Sequence, residues 1–459
     1  MDQLTRSIRR VSDSLWMQMA GTAVITAAFM LLVYEAAPSL DLWWARPAAL
    51  LFGGIFALAI VLIIAMHRFT VLELLGTAAC VGCAIYARVA LLPFESGDFT
   101  QYLLQWFREL GALSVKDALR TPIGNYNLPY IYYLTVLSRF KVESLVHIKA
   151  FSCLFDVIMA YAVMRLVMTE VEDRRLQLAT YIIVLLLPTV MIDSAMWAQC
   201  DSVYTALCII SAFAAVRGRG RLCAISWTAA FYFKLQAVFI LPALAAALFM
   251  GKVKPKHLLW IPAVYFASVL PALIAGRSVA DCLNIYTNQV GYYKGLFFNA
   301  PTVWRFFGDA QIPALTNMSV YPALGALILF TLYAISAVKS IDDKKLISLF
   351  FVSALLAAFL LPRMHERYFY MAEVLSIAYF MCDRRKWYVP AVLTTASLAS
   401  YMEYFLVYSM SSYEEYAART VGIKPVYFAA AILVILAVEG RALFGGTVRK
   451  TEKSGVIPT

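Results

Sequence analysis

Residues 46–66 read RPAALLFGGIFALAIVLIIAM, and a second apolar run follows over residues 70–92. Such runs fit membrane-crossing helices, because about 20 residues span the hydrocarbon core and a helix satisfies its own backbone hydrogen bonds. Similar runs recur along the 459-residue chain, which is 62% hydrophobic, more than soluble domains usually are. The sequence therefore predicts an all-α, polytopic membrane helix bundle of about 13–14 transmembrane segments.

Basic residues between these runs predict the orientation of the chain. The formal net charge is +11. Its cations punctuate the runs, which is typical of a cytoplasmic membrane face in contact with anionic lipids, and no nucleic-acid partner is expected. Residues 221–250 form one long run with Lys234 in its middle, where a lysine is costly in lipid. Breaking the run at Lys234 puts every short basic loop, including residues 252–256, on the cytoplasmic side with both termini.

Two long segments then fall on the outer side, at about residues 94–143 and 276–317. The first carries Tyr102 and Trp106 at helical spacing and predicts an external loop of amphipathic helices at the interface. We divide the chain into an N-terminal transmembrane hairpin (1–69), a central transmembrane module (70–410), and a last transmembrane helix with a cytoplasmic tail (411–459).

The polar residues least expected in such a chain gather at that outer face. The first group follows the apolar run over residues 70–92, where PFESGDF, residues 93–99, contains Glu95 and Asp98. Asp98 has two interpretations. It could cap the helix that begins there, or it could be a general base held near the membrane surface.

The second group is WAQCDS, residues 197–202. Trp197 could be an aromatic belt residue at the membrane interface, and Asp201 could cap the helix that follows. However, Gln199, Asp201 and Ser202 place three hydrogen-bonding side chains in one tight turn. Such a density of polar groups favours recognition of hydroxyl groups.

The third group is HERY, residues 365–368, in a short loop between two apolar runs. His365 and Arg367 could bind a phosphate, since a guanidinium group donates two parallel hydrogen bonds. Glu366 and Tyr368 are candidate substrate contacts. Lys234 joins this group as a further phosphate ligand, because a charge at a broken membrane helix is a functional-site hypothesis by default, although it could also snorkel to the interface.

Together these motifs resemble those of the GT-C glycosyltransferases, polytopic enzymes that use polyprenyl-phosphate-linked sugars. The Gly97-Asp98-Phe99 stretch looks like their first external loop, whose aspartate is the catalytic base. The His365-Glu366-Arg367 stretch looks like the His-Glu-Lys/Arg motif of the dolichyl-phosphate-glucose-dependent glucosyltransferases. Combined with residues 197–202, the pattern is most similar to bacterial relatives of the glycosylphosphatidylinositol mannosyltransferase II family. The resemblance covers about residues 70–410.

The resemblance implies an inverting hexosyltransferase, with mannose the favoured sugar. Its donor would be a polyprenyl-phosphate sugar, and its acceptor a lipid-linked or cell-envelope glycan, on the outer face of a bacterial plasma membrane. Asp98 would take the proton of the acceptor hydroxyl, and His365, Arg367 and Lys234 would bind the donor phosphate. No cofactor is expected, and dependence on a divalent metal is left open because no clear Asp-x-Asp pair is present. The remaining candidates would contact substrate: Glu95, Trp197, Gln199, Asp201, Ser202, Glu366 and Tyr368.

Two other functions fit the same residues. A transporter or flippase of a lipid-linked or polyanionic substrate would also need broken helices and charge in the membrane. A polysaccharide polymerase or ligase would need a large basic external loop. The gathering of charges at one interface, without an internal repeat, favours the glycosyltransferase.

Overall fold

A computed structural model describes residues 44–66, 68–292, 295–307, 313–409 and 425–453, with isolated positions between 21 and 31. A further apolar run, at residues 15–36, precedes those quoted above, and most of it lies outside the described residues. The described part contains nineteen α-helices. In chain order these are α1 (Ala45–Ile64), α2 (Val71–Leu91), α3 (Leu104–Ala112), α4 (Val115–Arg120), α5 (Leu128–Leu137), α6 (Ser144–Val167), α7 (Arg174–Leu186), α8 (Pro188–Met191), α9 (Asp201–Val216), α10 (Gly220–Phe233), α11 (Leu241–Phe249), α12 (Trp260–Ala275), α13 (Val279–Tyr292), α14 (Pro313–Met318), α15 (Val320–Ser336), α16 (Asp343–Leu360), α17 (Tyr370–Cys382), α18 (Tyr388–Ser409) and α19 (Pro425–Lys453).

Shorter elements connect these helices. Two are π-helical, Phe99–Leu103 and Ile192–Met196. The 3₁₀ segments are Leu235–Ile240, Pro255–Leu259, Val303–Phe307, Val338–Ser340 and Arg384–Lys386. Two strands of two residues each, β1 (Phe297–Phe298) and β2 (Met364–His365), pair in parallel. The all-α prediction is confirmed, with this small ladder as an addition.

Six helical segments of the described chain are long and apolar enough to cross a membrane. They are Ala45–Ile64, Val71–Leu91, Ser144–Val167, Pro255–Ala275, Leu315–Ser336 and Pro425–Gly445. A seventh span results if α7 and the segment Pro188–Met196, which are bent by 48°, are counted as one. The protein is thus a helical protein with several candidate spans. The higher count of 13–14 segments stays a prediction, because apolar helices such as α17, with 13 residues, are shorter than the roughly 20 residues that span the hydrocarbon core.

Local sequence signals explain where the helices begin and break. A capping box starts α2, since the Thr70 hydroxyl accepts from the Glu73 amide and the Glu73 carboxylate accepts from the Thr70 amide. Pro188 cannot donate a backbone hydrogen bond, and the chain bends between α7 and α8 at this point. The break predicted at Lys234 is present. Helix α10 ends at Phe233, Lys234 is extended, and a 3₁₀ segment begins at Leu235.

The chain divides into two compact units. The first comprises Met1–Gly124, Ile131–Met164 and Glu172–Ala206, and the second comprises Asn125–Tyr130, Arg165–Val171 and Leu207–Thr459. In the first unit, α2 packs against α1 and α7. In the second, α16 packs against α11 and α17, and most residues of α16 and nearly all residues of α17 are buried. The division into residues 1–69, 70–410 and 411–459 stays a prediction.

Candidate functional site

The residues predicted for the site form two groups, one in each unit. Asp98, Trp197 and Gln199 lie together in the first unit, and with Ser96 we call them the carboxylate cluster. Lys234, His365 and Arg367 lie together in the second unit, and we call them the cation cluster.

The carboxylate of Asp98 binds two side chains that lie about a hundred positions away in the sequence. Its Oδ2 atom accepts a hydrogen bond from the Trp197 indole nitrogen at 3.0 Å. The same oxygen accepts a second bond from the Gln199 amide nitrogen at 2.5 Å. Hydrogen bonds to a charged acceptor are stronger than neutral ones. Asp98 is only half-buried, so this fixed carboxylate keeps some access to its surroundings.

The helix-capping interpretation of Asp98 is wrong. Its side chain makes no cap bond to the π-helix Phe99–Leu103. Ser96 caps instead, because its hydroxyl accepts from the Phe99 backbone amide at 3.1 Å and donates to the Trp197 carbonyl at 2.6 Å. Ser96 therefore joins the two backbone segments of the cluster, and the Asp98 carboxylate is left to face the indole and amide groups.

The interpretation of Trp197 as a membrane belt residue is also wrong, because its side chain is fully buried. The backbone around it is unusual. Trp197 N–H donates to the Ile192 carbonyl at 2.8 Å, which closes the π-helix Ile192–Met196. The next residue, Ala198, has a φ of +66°, a left-handed conformation that alanine rarely adopts. This strained residue separates the two side chains that reach Asp98, which is typical of functional sites.

The first unit also contains three other residues predicted for the site, Glu95, Asp201 and Ser202. Glu95 is exposed in the loop that leads to Asp98. Asp201 is the first residue of α9 and is fully buried. The Ser202 hydroxyl is also fully buried and donates to the Ser152 carbonyl at 2.9 Å. That bond orients Ser202 toward α6, and its assignment as a substrate contact stays a prediction.

The cation cluster is built on the short β-ladder. Strand β2 contains His365, and its pairing with β1 places the His365 ring flat on Phe298, with 4.6 Å between ring centroids. Tyr368 packs on the same imidazole at 5.2 Å. Arg363, which precedes this strand, has a φ of +62° and donates its amide to the Leu296 carbonyl. Sequence reasoning missed Phe298, although the aromatic pair at 297–298 in a long loop was a signal.

Charges in this cluster interact closely. Arg367 Nη1 lies 3.3 Å from Glu366 Oε1, and Glu366 is almost completely buried. Lys234 is also mostly buried, and its ammonium lies 6.0 Å from the centre of the Tyr126 ring, a favourable cation–π arrangement. Burial lowers the pKa of His365 well below its usual value, and the charges of Arg367 and Lys234 lower it further. His365 is therefore a neutral hydrogen-bonding group at pH 7, beside the cationic side chains of Arg367 and Lys234.

No group of three or more His, Cys, Asp or Glu residues that could hold a metal ion occurs in the described part of the chain. Comparison with models of known protein families gives no match, and comparison with curated proteins gives no significant match. The chemistry of the two clusters is consequently the basis for a functional interpretation.

Proposed function

We propose that the protein is an inverting membrane glycosyltransferase. It would move a hexose, with mannose favoured, from a polyprenyl-phosphate donor to a lipid-linked or cell-envelope glycan on the outer face of a bacterial plasma membrane. Asp98 is the general base, and the cation cluster binds the donor phosphate.

The observation that carries this proposal is the set of contacts made by Asp98. A carboxylate used only for helix capping would bond to backbone amides, whereas Asp98 is oriented by Trp197 and Gln199. Both donors bond to one oxygen, Oδ2. The geometry is that of a carboxylate fixed by a pair of neutral donors, which suits a base that must be aligned with one hydroxyl group.

The proposed reaction is a single displacement. The acceptor hydroxyl attacks the anomeric carbon from the face opposite the phosphate, and Asp98 takes its proton as the new carbon–oxygen bond forms. The bond between the anomeric carbon and the phosphate oxygen breaks, and polyprenyl phosphate leaves with the electron pair. Lys234 and Arg367 offset the negative charge of the leaving group, and neutral His365 donates a hydrogen bond. Configuration inverts because the carbon is attacked once.

The substitution Asp98→Asn tests the proposal. Asparagine keeps the shape of the side chain but cannot take a proton, so transfer should fall about 10²- to 10⁴-fold. The fold should be unaffected because Ser96 caps the helix. Purified protein is incubated with polyprenyl-phosphate mannose and a membrane glycolipid fraction, and products are identified by mass spectrometry. Asp117→Asn is the matched control, since Asp117 is an exposed carboxylate near a helix start in the same unit. Near-normal transfer by Asp98→Asn would remove Asp98 as the base.

The second candidate is a flippase or transporter of a lipid-linked substrate. It is favoured by the helix break at Lys234 and by the bend between α7 and α8, since discontinuous helices are common in transporters. Protein in vesicles with a fluorescent polyprenyl-phosphate lipid distinguishes the two. Transbilayer movement by the Asp98→Asn variant, with no glycosylated product from the wild type, would favour the transporter.

A further inference from the structure

Helix α6 contains two fully buried charged residues, Lys149 and Asp156. They are seven positions apart and so lie on the same face of the helix, inside a candidate membrane span. Charges are costly in such a place and usually have a function. Neither residue belongs to the carboxylate cluster. Lys149 binds backbone carbonyls of the segment that leads to Asp98, and Asp156 binds a side chain of the segment that leads to Trp197.

Lys149 holds the segment that leads to Asp98. Its ammonium donates to the carbonyl of Leu92 at 2.9 Å and to that of Phe94 at 2.5 Å. It also lies 3.4 Å from the Leu91 carbonyl. These carbonyls lie at and just beyond the end of α2, where the helix no longer satisfies them. Asp98 follows four residues after Phe94, so the Lys149 contacts fix the start of the loop that contains the carboxylate.

Asp156 holds the segment that leads to Trp197 and Gln199. Its Oδ2 atom accepts from the Ser194 hydroxyl at 2.6 Å, and Ser194 belongs to the π-helix that ends just before Trp197. The same oxygen binds Arg88 Nε at 2.8 Å. Arg88 in turn donates to the Leu185 carbonyl at 2.9 Å, near the end of α7. Helix α6 therefore contacts the segment that leads to Trp197 and Gln199 directly, through Ser194. It also contacts the end of α7 through Arg88.

We propose that Lys149 and Asp156 are positioning residues that hold the loop of Asp98 and the turn of Trp197 and Gln199 at the separation at which the carboxylate reaches both donors. One rigid helix contacts both segments, so it sets the distance between them. That this geometry serves glycosyl transfer rests on the proposed function, whereas the geometry itself can be measured without any transfer.

The first experiment measures geometry. The protein is labelled with 5-fluorotryptophan, and the ¹⁹F signal of Trp197 is identified as the one missing from Trp197→Phe. In Lys149→Gln this signal should move toward its position in Asp98→Asn, and Lys149→Arg should restore it because the cation is retained. Lys141→Gln is the matched control, since Lys141 is exposed in the same unit. If Lys149→Gln does not fold, Ser194→Ala removes the bond to Asp156, together with the contacts of the Ser194 hydroxyl to the Val190 carbonyl and the Cys153 thiol, and it should move the same signal.

The second experiment measures transfer. A misplaced base lowers turnover and leaves donor binding intact, so Lys149→Gln should reduce kcat about 10- to 100-fold with little change in the donor KM. It should cause no further loss in an Asp98→Asn background, because it acts through Asp98. A purely structural defect would lower both parameters and would add to the loss caused by Asp98→Asn. A Trp197 signal that stays in place in both Lys149→Gln and Ser194→Ala overturns the proposal. If the Trp197 signal moves in these variants but the wild type forms no glycosylated product, the positioning role is supported and the proposed glycosyltransferase function is refuted.

Discussion

The hydrogen bond from Trp197 to Asp98 gives a quantitative prediction. Trp197→Phe keeps an aromatic ring in a fully buried place but removes the indole N–H, which lies 3.0 Å from Asp98 Oδ2. The Gln199 amide still donates to the same carboxylate oxygen. With one donor lost, the carboxylate can rotate about its own side chain. Fewer encounters with the acceptor hydroxyl are then aligned for proton transfer.

The size of the effect follows from the bond that is lost. A hydrogen bond to a charged group contributes about 1.5–3 kcal/mol. Since 1.36 kcal/mol corresponds to a factor of ten in rate, kcat/KM should fall roughly 10- to 150-fold. Most of the change should appear in kcat, because Trp197 is buried and acts on the base and not on the donor. Substituting Gln199→Met as well should reduce transfer to about the level of Asp98→Asn.

The assay is the transfer reaction described above, with thermal unfolding measured in parallel. Trp227→Phe is the matched control, because Trp227 also loses an indole bond of 3.0 Å, in that case to the Ala237 carbonyl. Both variants should lose stability, but only Trp197→Phe should lose transfer. An unchanged kcat/KM in folded Trp197→Phe, or an equal loss in Trp227→Phe, would refute the view that the indole orients the base.

Three further predictions concern both clusters. Ala198→Val should destabilise the fold by about 1–3 kcal/mol, because a β-branched residue is strained at the φ of +66°. Ala198→Gly should not destabilise it, and the unfolding midpoints of the two variants test this difference. Arg367→Ala should raise the donor KM roughly 10- to 150-fold, with Arg367→Lys in between, and an unchanged KM would remove the phosphate contact. The pKa of His365 is lower folded than unfolded, so the stability present above pH 6.5 is lost as pH falls. Between pH 6.5 and 5.5 this loss should reach about 1 kcal/mol and be absent in His365→Asn, and equal pH profiles would contradict it.

The sequence predicted best those features that depend on local physics. An apolar run long enough to span a bilayer becomes a helix because the backbone has no other partner in lipid, as α1 and α2 illustrate. The break at Lys234 was predicted because a charge in the middle of a long apolar run is costly. The number of spans is harder to predict, since a short apolar helix such as α17 satisfies the same pattern whether it crosses the membrane or not.

The sequence allowed residues of the candidate site to be selected, but it did not show the contacts between them. Asp98, Trp197 and Gln199 were each selected, but composition could not show that the indole and amide bind the same carboxylate oxygen. Ser202 was selected because a polar cluster favours recognition, and the sequence could not show that its hydroxyl donates to a buried carbonyl of α6. No sequence motif marked Lys149, because its proposed role depends on the carbonyls at the end of α2. The sequence alone does not show where those carbonyls lie.

The two π-helices explain why apolar periodicity gave no sign of this geometry. A π-turn places one extra residue in a helix and rotates every side chain that follows relative to an α-helical register. Such turns flank both halves of the carboxylate cluster, at Phe99–Leu103 after Asp98 and at Ile192–Met196 before Trp197. The second closes through Trp197 N–H at 2.8 Å, and the left-handed Ala198 then reverses the chain so that Gln199 also reaches Asp98. A π-turn and a left-handed alanine are each unfavourable by themselves. Their occurrence around one carboxylate argues that the local fold maintains the orientation of Asp98.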